Sequence, residues 1–104
     1  MEMRRVVVTG LGSLTPIGNT VEEYWQSLIN GVSGASPITH FDASQAKTQF
    51  ACEVKGFDAS KFFDRREVRK YDRFSQYGIV AAEQAVADCN VDFEKINKER
   101  AGVI

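Results

Sequence analysis

The stretch Arg5-Val6-Val7-Val8-Thr9-Gly10-Leu11-Gly12 is where the fold is first legible. Its β-branched run does not alternate with polar residues, so it predicts a strand buried on both faces, as in a parallel sheet. The glycines that close it, with Pro16 and Gly18 beyond them, predict a shaped loop. Thr20 and Glu23 then form an N-cap and its reciprocal acid. Val21, Tyr24, Trp25, Leu28 and Ile29 recur on one helical face, and Asn30-Gly31 supplies the stop. Strand, loop and helix in this order predict the opening of an α/β fold.

Further along, residues 32–63 are less regular. Gly34, Ser36 and Pro37 mark a loop that continues through Phe41-Asp42, and Gln49–Val54 predicts a short strand, at an edge. Phe57-Asp58-Ala59-Ser60 ahead of Phe62-Phe63 reads as a turn and short helix that carries aromatics into a core. From Asp64 a helical pattern returns, with Phe74, Tyr77, Ala81, Ala85 and Cys89 expected to face inward and Gly78, Ala82 and Val86 to widen that surface. So many small residues predict close approach of another backbone. Asn90 is the expected stop. Ala101-Gly102-Val103-Ile104 begins a new apolar run in which the sequence stops, so residues 1–104 are expected to be the front part of a larger domain.

Composition narrows the function. Of 104 residues, 43% are hydrophobic and 26% charged, with 13 Lys and Arg against 14 Asp and Glu. The formal net charge of -1 argues against a nucleic-acid or membrane-coating protein, which would carry a strong basic bias. No apolar run approaches the ~20 residues that span a bilayer. The start lacks the long apolar stretch and cleavage site of a secretory signal, so a cytoplasmic location is expected. Cys52 and Cys89 have no CxxC spacing, and with the lone His40 they cannot furnish about four zinc ligands. Both thiols are expected to be reduced and packed, and His40 to be a turn or surface residue. Gly10-Leu11-Gly12 lacks the third glycine of a dinucleotide fingerprint, since Thr15 stands there.

One segment departs from neutrality. Asp64–Arg73 holds five basic and three acidic residues, whereas the rest holds eight and eleven. If helical, Arg66, Arg69, Lys70 and Arg73 form one basic stripe. It reads either as a solvated face with ordinary intrahelical ion pairs or as a surface that docks an acidic partner.

Taken together, Arg4-Arg5-Val6-Val7-Val8-Thr9-Gly10-Leu11-Gly12, Thr15-Pro16-Ile17-Gly18-Asn19 and Trp25 through Gly31 closely resemble the amino-terminal segment of the β-ketoacyl-acyl carrier protein synthases. Ile38-Thr39-His40-Phe41-Asp42 and Arg69-Lys70-Tyr71-Asp72-Arg73-Phe74-Ser75-Gln76-Tyr77-Gly78 extend the resemblance over essentially the whole chain. The second run is most similar to the elongating synthase II subfamily and is shared in large part by polyketide ketosynthases. The resemblance implies a thiolase-like, layered α/β/α/β/α fold, with residues 1–104 its amino-terminal part. It implies a homodimeric cytoplasmic acyltransferase of fatty acid synthesis. Such an enzyme joins an enzyme-bound acyl group to malonyl-acyl carrier protein with loss of CO2, and no cofactor or metal is implied. The family's nucleophilic cysteine and two histidines match nothing in this chain, so no catalytic residue is assigned and the chain alone is expected to be inactive. Arg66, Arg69 and Lys70 match the family's basic contacts to acyl carrier protein, in its acyl- and malonyl-loaded forms, with Arg65 and Arg73 as weaker candidates. A non-catalytic partner subunit of the chain-length-factor type and a stand-alone carrier-binding module are the competing readings.

Overall fold

The computed structural model describes residues 1–104. Helix α1 spans Val21–Ile29, and Thr20 caps it in extended conformation, its hydroxyl accepting from the Glu23 N–H at 3.2 Å. The Glu23 carboxylate reaches back one residue further than the expected box, accepting from the Asn19 N–H at 2.8 Å. Gly31, at φ 66°, ends the helix as predicted. Its apolar face is poorly covered: Val21 and Tyr24 are half-buried, whereas Trp25, expected inward, is 59% exposed.

The only sheet is a two-stranded antiparallel one, β1 at Ala35–Pro37 and β2 at Phe50–Cys52, with Ser36 opposite Ala51. The second strand was expected, but the first lies in a segment read as loop. Pro37 ends β1, where a missing N–H costs no ladder bond. Arg5–Thr9 is not a strand. It carries no ladder hydrogen bonds and Val6 is 89% exposed, because a strand exists only against a partner and none lies beside it. Ala101–Ile104 is likewise exposed and outside any sheet.

The short 3-10 turn Ala59–Lys61, capped by Asp58, brings the aromatics together as expected. The Phe57 ring stacks on Phe62 at 5.7 Å and meets Tyr77 edge-on at 5.1 Å, and Phe63 is buried with its ring 5.9 Å from Tyr71. Helix α2, Arg65–Lys70, and helix α3, Arg73–Cys89, follow. Asn90 ends α3 in the left-handed conformation, at φ 54°. The best-buried residues of α3 are Gln76 and Val80, with Gln84 half-buried; of the residues expected to face inward, Tyr77, Ala81, Ala85 and Cys89 are half-buried, whereas Phe74 is 74% exposed. Gly78 faces open space, and Ala82 and Val86 are exposed.

The small-residue prediction holds one turn further on. A Cβ on Gly12 would come within 1.9 Å of the Ala81 carbonyl oxygen, and one on Gly10 within 2.3 Å of that of Ala85. Backbone therefore packs directly on α3. Polar side chains fix the same contact: Gln84 Oε1 accepts from the Ser13 N–H at 3.0 Å, its Nε2 donates to the Asn19 carbonyl at 2.8 Å, and Asp88 accepts from the Leu11 N–H at 2.9 Å.

Candidate functional site

Helix α2 is built from its N-terminus. Asp64 Oδ1 accepts from the Arg66 and Glu67 N–H groups at 2.8 Å each, and Glu67 Oε2 accepts from the Asp64 N–H at 3.0 Å. This reciprocal box satisfies N–H groups that a helix start leaves without partners. It engages one oxygen of each of the two carboxylates nearest the helix's basic residues in sequence. Arg66, Arg69 and Lys70 are all exposed, and the ion pairs of the molecule, His40–Glu53, Lys95–Asp92 and Lys98–Glu94, involve none of them. The Lys70 ammonium lies 5.5 Å from the centre of the Tyr71 ring, a cation–π distance.

The stripe is shorter than the spacing suggests. Tyr71 is extended, at φ -100° and ψ 129°, so the helix breaks there and Asp72 stands at the N-cap position of a new one, without a side-chain capping bond. Arg73 consequently leaves the register of Arg66, Arg69 and Lys70. Its guanidinium Nη1 donates to His40 Nε2 at 2.9 Å. A guanidinium has no acceptor, so the imidazole in that bond carries its hydrogen on Nδ1, which faces Glu53 Oε1 at 3.7 Å. Arg73 and Arg69 still border one open groove of about 500 Å3, floored by Phe57, Val68 and Tyr71. Arg65 is exposed at the first position of α2.

The break was not expected from Tyr71-Asp72, which holds neither glycine nor proline; the available signal was aspartate, a favoured N-cap. Gln76 is a second residue whose role spacing alone did not reveal. It is 5% exposed, and its Nε2 donates to the Val68 carbonyl at 3.2 Å and the Tyr71 carbonyl at 3.0 Å.

His40 thus sits in a loop, held between Arg73 and Glu53. The Glu53 carboxyl is held below its ordinary value, chiefly by the Thr39 hydroxyl at 2.8 Å, with the Thr39 and His40 N–H groups adding to it. Cys52, expected to be packed, is exposed on β2, and Cys89 is half-buried at the C-terminal end of α3 with its Sγ 2.9 Å from the Val86 carbonyl. Neither thiol stands at a helix N-terminus, where a thiolate is favoured.

Residues 3–104 match the family profile of the β-ketoacyl synthase N-terminal domain. The chain belongs to the β-ketoacyl synthase family. This ketoacyl synthase segment is 47% identical over 104 residues to the 3-oxoacyl-[acyl-carrier-protein] synthase 2 of Synechocystis sp., an alignment that covers 100% of this chain and 25% of that protein. The synthase 2 of Vibrio cholerae is 48% identical over 103 residues, 99% of this chain and 25% of that protein. Among solved structures, the ishigamide ketosynthase/chain length factor superposes with a TM-score of 0.78 at 38% identity, over 90% of this chain and 23% of that one. The segment therefore spans about a quarter of the length of the curated relatives it matches.

Proposed function

We propose that this ketoacyl synthase segment is the amino-terminal portion of a 3-oxoacyl-acyl carrier protein synthase II. That enzyme is a cytoplasmic homodimer of thiolase-like, layered α/β/α/β/α fold that elongates an enzyme-bound acyl group with malonyl-acyl carrier protein and releases CO2. The remaining layers, the nucleophile and the histidines belong to the rest of that protein. Within the segment, Arg66, Arg69 and Lys70 dock the acidic carrier. The supporting observation is electrostatic. A merely solvated helix face would pair its bases with Asp64 and Glu67, but no ion pair joins them to Arg66, Arg69 or Lys70, and one oxygen of each carboxylate is engaged in the capping box. Four unpaired cations on one short helix, Arg65 with Arg66, Arg69 and Lys70, attract an anionic surface from a distance.

The test uses the full-length synthase. Arg69→Glu with Lys70→Glu should lower kcat/KM for carrier-bound substrates by roughly tenfold or more. It should leave turnover of a small thioester unchanged. Raising salt should shrink the wild type's advantage, since the Debye length is about 8 Å at physiological ionic strength. Equal losses with both substrates would assign the residues to the fold instead.

A second reading has one observation in its favour: the solved neighbour is a ketosynthase/chain length factor. In that case the complete protein is a non-catalytic partner subunit. A cysteine at a strand-to-helix turn downstream of residue 104, labelled by an acyl thioester, separates the two.

A further inference from the structure

We infer that Gln76 is the positioning residue that holds the carrier-docking helix in register, and this rests on the docking reading above. Helix α2 has six residues, well below the roughly 12–15 at which an isolated helix becomes even marginal. Its N-terminus is secured by the Asp64–Glu67 box. Its C-terminus leads into an extended residue, Tyr71, where the chain could swivel. The last-turn carbonyls of any helix lack internal partners. Here the buried Gln76 amide supplies a partner to one of them, the Val68 carbonyl, and to the carbonyl of the C-cap Tyr71. Those two residues immediately flank Arg69 and Lys70. The grip therefore closes on the backbone on both sides of the docking pair.

The amide's orientation is fixed by chemistry. Both partners are carbonyls, which only accept, so Nε2 must face them. Gln76 itself belongs to the first turns of α3, with its N–H bonded to the Asp72 carbonyl at 3.0 Å. One side chain thus transfers the rigidity of the longest helix to the shortest. Arg69 and Lys70 are long and mobile. What must be fixed is the direction in which their stems leave the backbone, and the two bonds fix that.

The experiment is a double-mutant cycle in the full-length synthase. Gln76→Leu, similar in volume, removes both donors. It should lower kcat/KM for carrier-bound substrate about five- to thirty-fold, the span of one or two unsatisfied carbonyls. The loss should fall in KM, with small-thioester turnover retained. In the Gln76→Leu background the Arg69→Glu, Lys70→Glu penalty should shrink, because the charges are already misdirected; independent sites would add. Gln76→Glu, which keeps the size but loses the donors while ionised, should show the same selective defect. If charge reversal itself spares carrier-bound turnover, the docking reading fails. If charge reversal acts but the Gln76 variants add to it independently, or slow both substrates equally, the positioning role fails. Should both variants unfold, hydrogen exchange of the wild type decides: the bonded amides of Val68 and Tyr71 protected like the interior of α3 support the role, and the same amides exchanging like an exposed loop refute it.

Discussion

Asp58 and Glu53 show how single side chains stabilise a segment with little core. Ser60 donates to Asp58 through its hydroxyl at 2.6 Å and its N–H at 3.0 Å, and lowers that carboxyl's affinity for protons as Thr39 does for Glu53. Both groups have folded pKa values below their unfolded ones. Each therefore stabilises the fold at pH above the ordinary carboxylate range, and that contribution is lost as pH falls through the depressed folded value. Acid titration followed by hydrogen exchange should show residues 39–40 loosening on this limb, and Glu53→Gln should remove the pH dependence there while weakening the tie at neutral pH. Packing gives a sharper contrast. Val80, 1% exposed, is the best-buried side chain. Val80→Ala should cost roughly 2 kcal/mol, from two methyl groups and a small cavity. Thr20→Ala should cost about 1 kcal/mol, as read from thermal unfolding of the full-length protein.

Elements were legible wherever their cause is local. The cap, face and stop of α1 lie within a dozen residues, so the helix could be read directly, as could the left-handed end of α3 at Asn90. What escaped depends on distant partners. Strand β1 exists through its pairing with Phe50–Cys52, and nothing in Ala35-Ser36-Pro37 announces that partner. The valine run has strand chemistry without a neighbouring strand. The inward face of α3 was legible at Tyr77, Ala81, Ala85 and Cys89, all half-buried, but Phe74 lies outside it and Gln76 and Gln84 escaped because they are polar; they are turned inward by backbone carbonyls and N–H groups elsewhere in the chain. In α2, the three bases were readable from spacing, but the capping box formed by Asp64 and Glu67 was not. Glycine positions yield opposite expectations. Gly12→Ala should destabilise by about 1–3 kcal/mol, since its Cβ would strike the Ala81 carbonyl. Gly78→Ala, mid-helix in open space, should stabilise by about 0.5–1 kcal/mol. In the full-length protein, a melting temperature that Gly12→Ala leaves unchanged or raises would misplace the Gly12–α3 contact.

The molecule as a whole is extended, with principal dimensions of 57 × 38 × 25 Å. A compact domain of this length has a radius of gyration of roughly 13 Å and exposes roughly 5,800 Å2. This chain has 17.8 Å and 9024 Å2, with only Ala43, Phe63, Val80 and Gln76 buried. Val6–Val8, Trp25, Ile29 and Phe74 contribute to an apolar surface that water does not favour. Expressed by itself, the 104-residue chain should catalyse no condensation, bind a hydrophobic dye and melt without a cooperative transition. A sharp calorimetric transition and a dispersed NMR spectrum would contradict this.

The docking of the glycine loop onto α3 also has a meaning in time. Ser13 waits for Gln84, 71 residues later in the chain. At ribosomal speeds of about 5–20 residues per second, that interval lasts roughly 4–14 s. Throughout it the valine run has emerged with nothing to lie against. A nascent chain of this kind offers chaperones an early, strand-prone apolar segment that stays exposed even once the loop has docked, and a pause in translation between Gly12 and Ala81 would prolong the time in which the loop itself lies undocked.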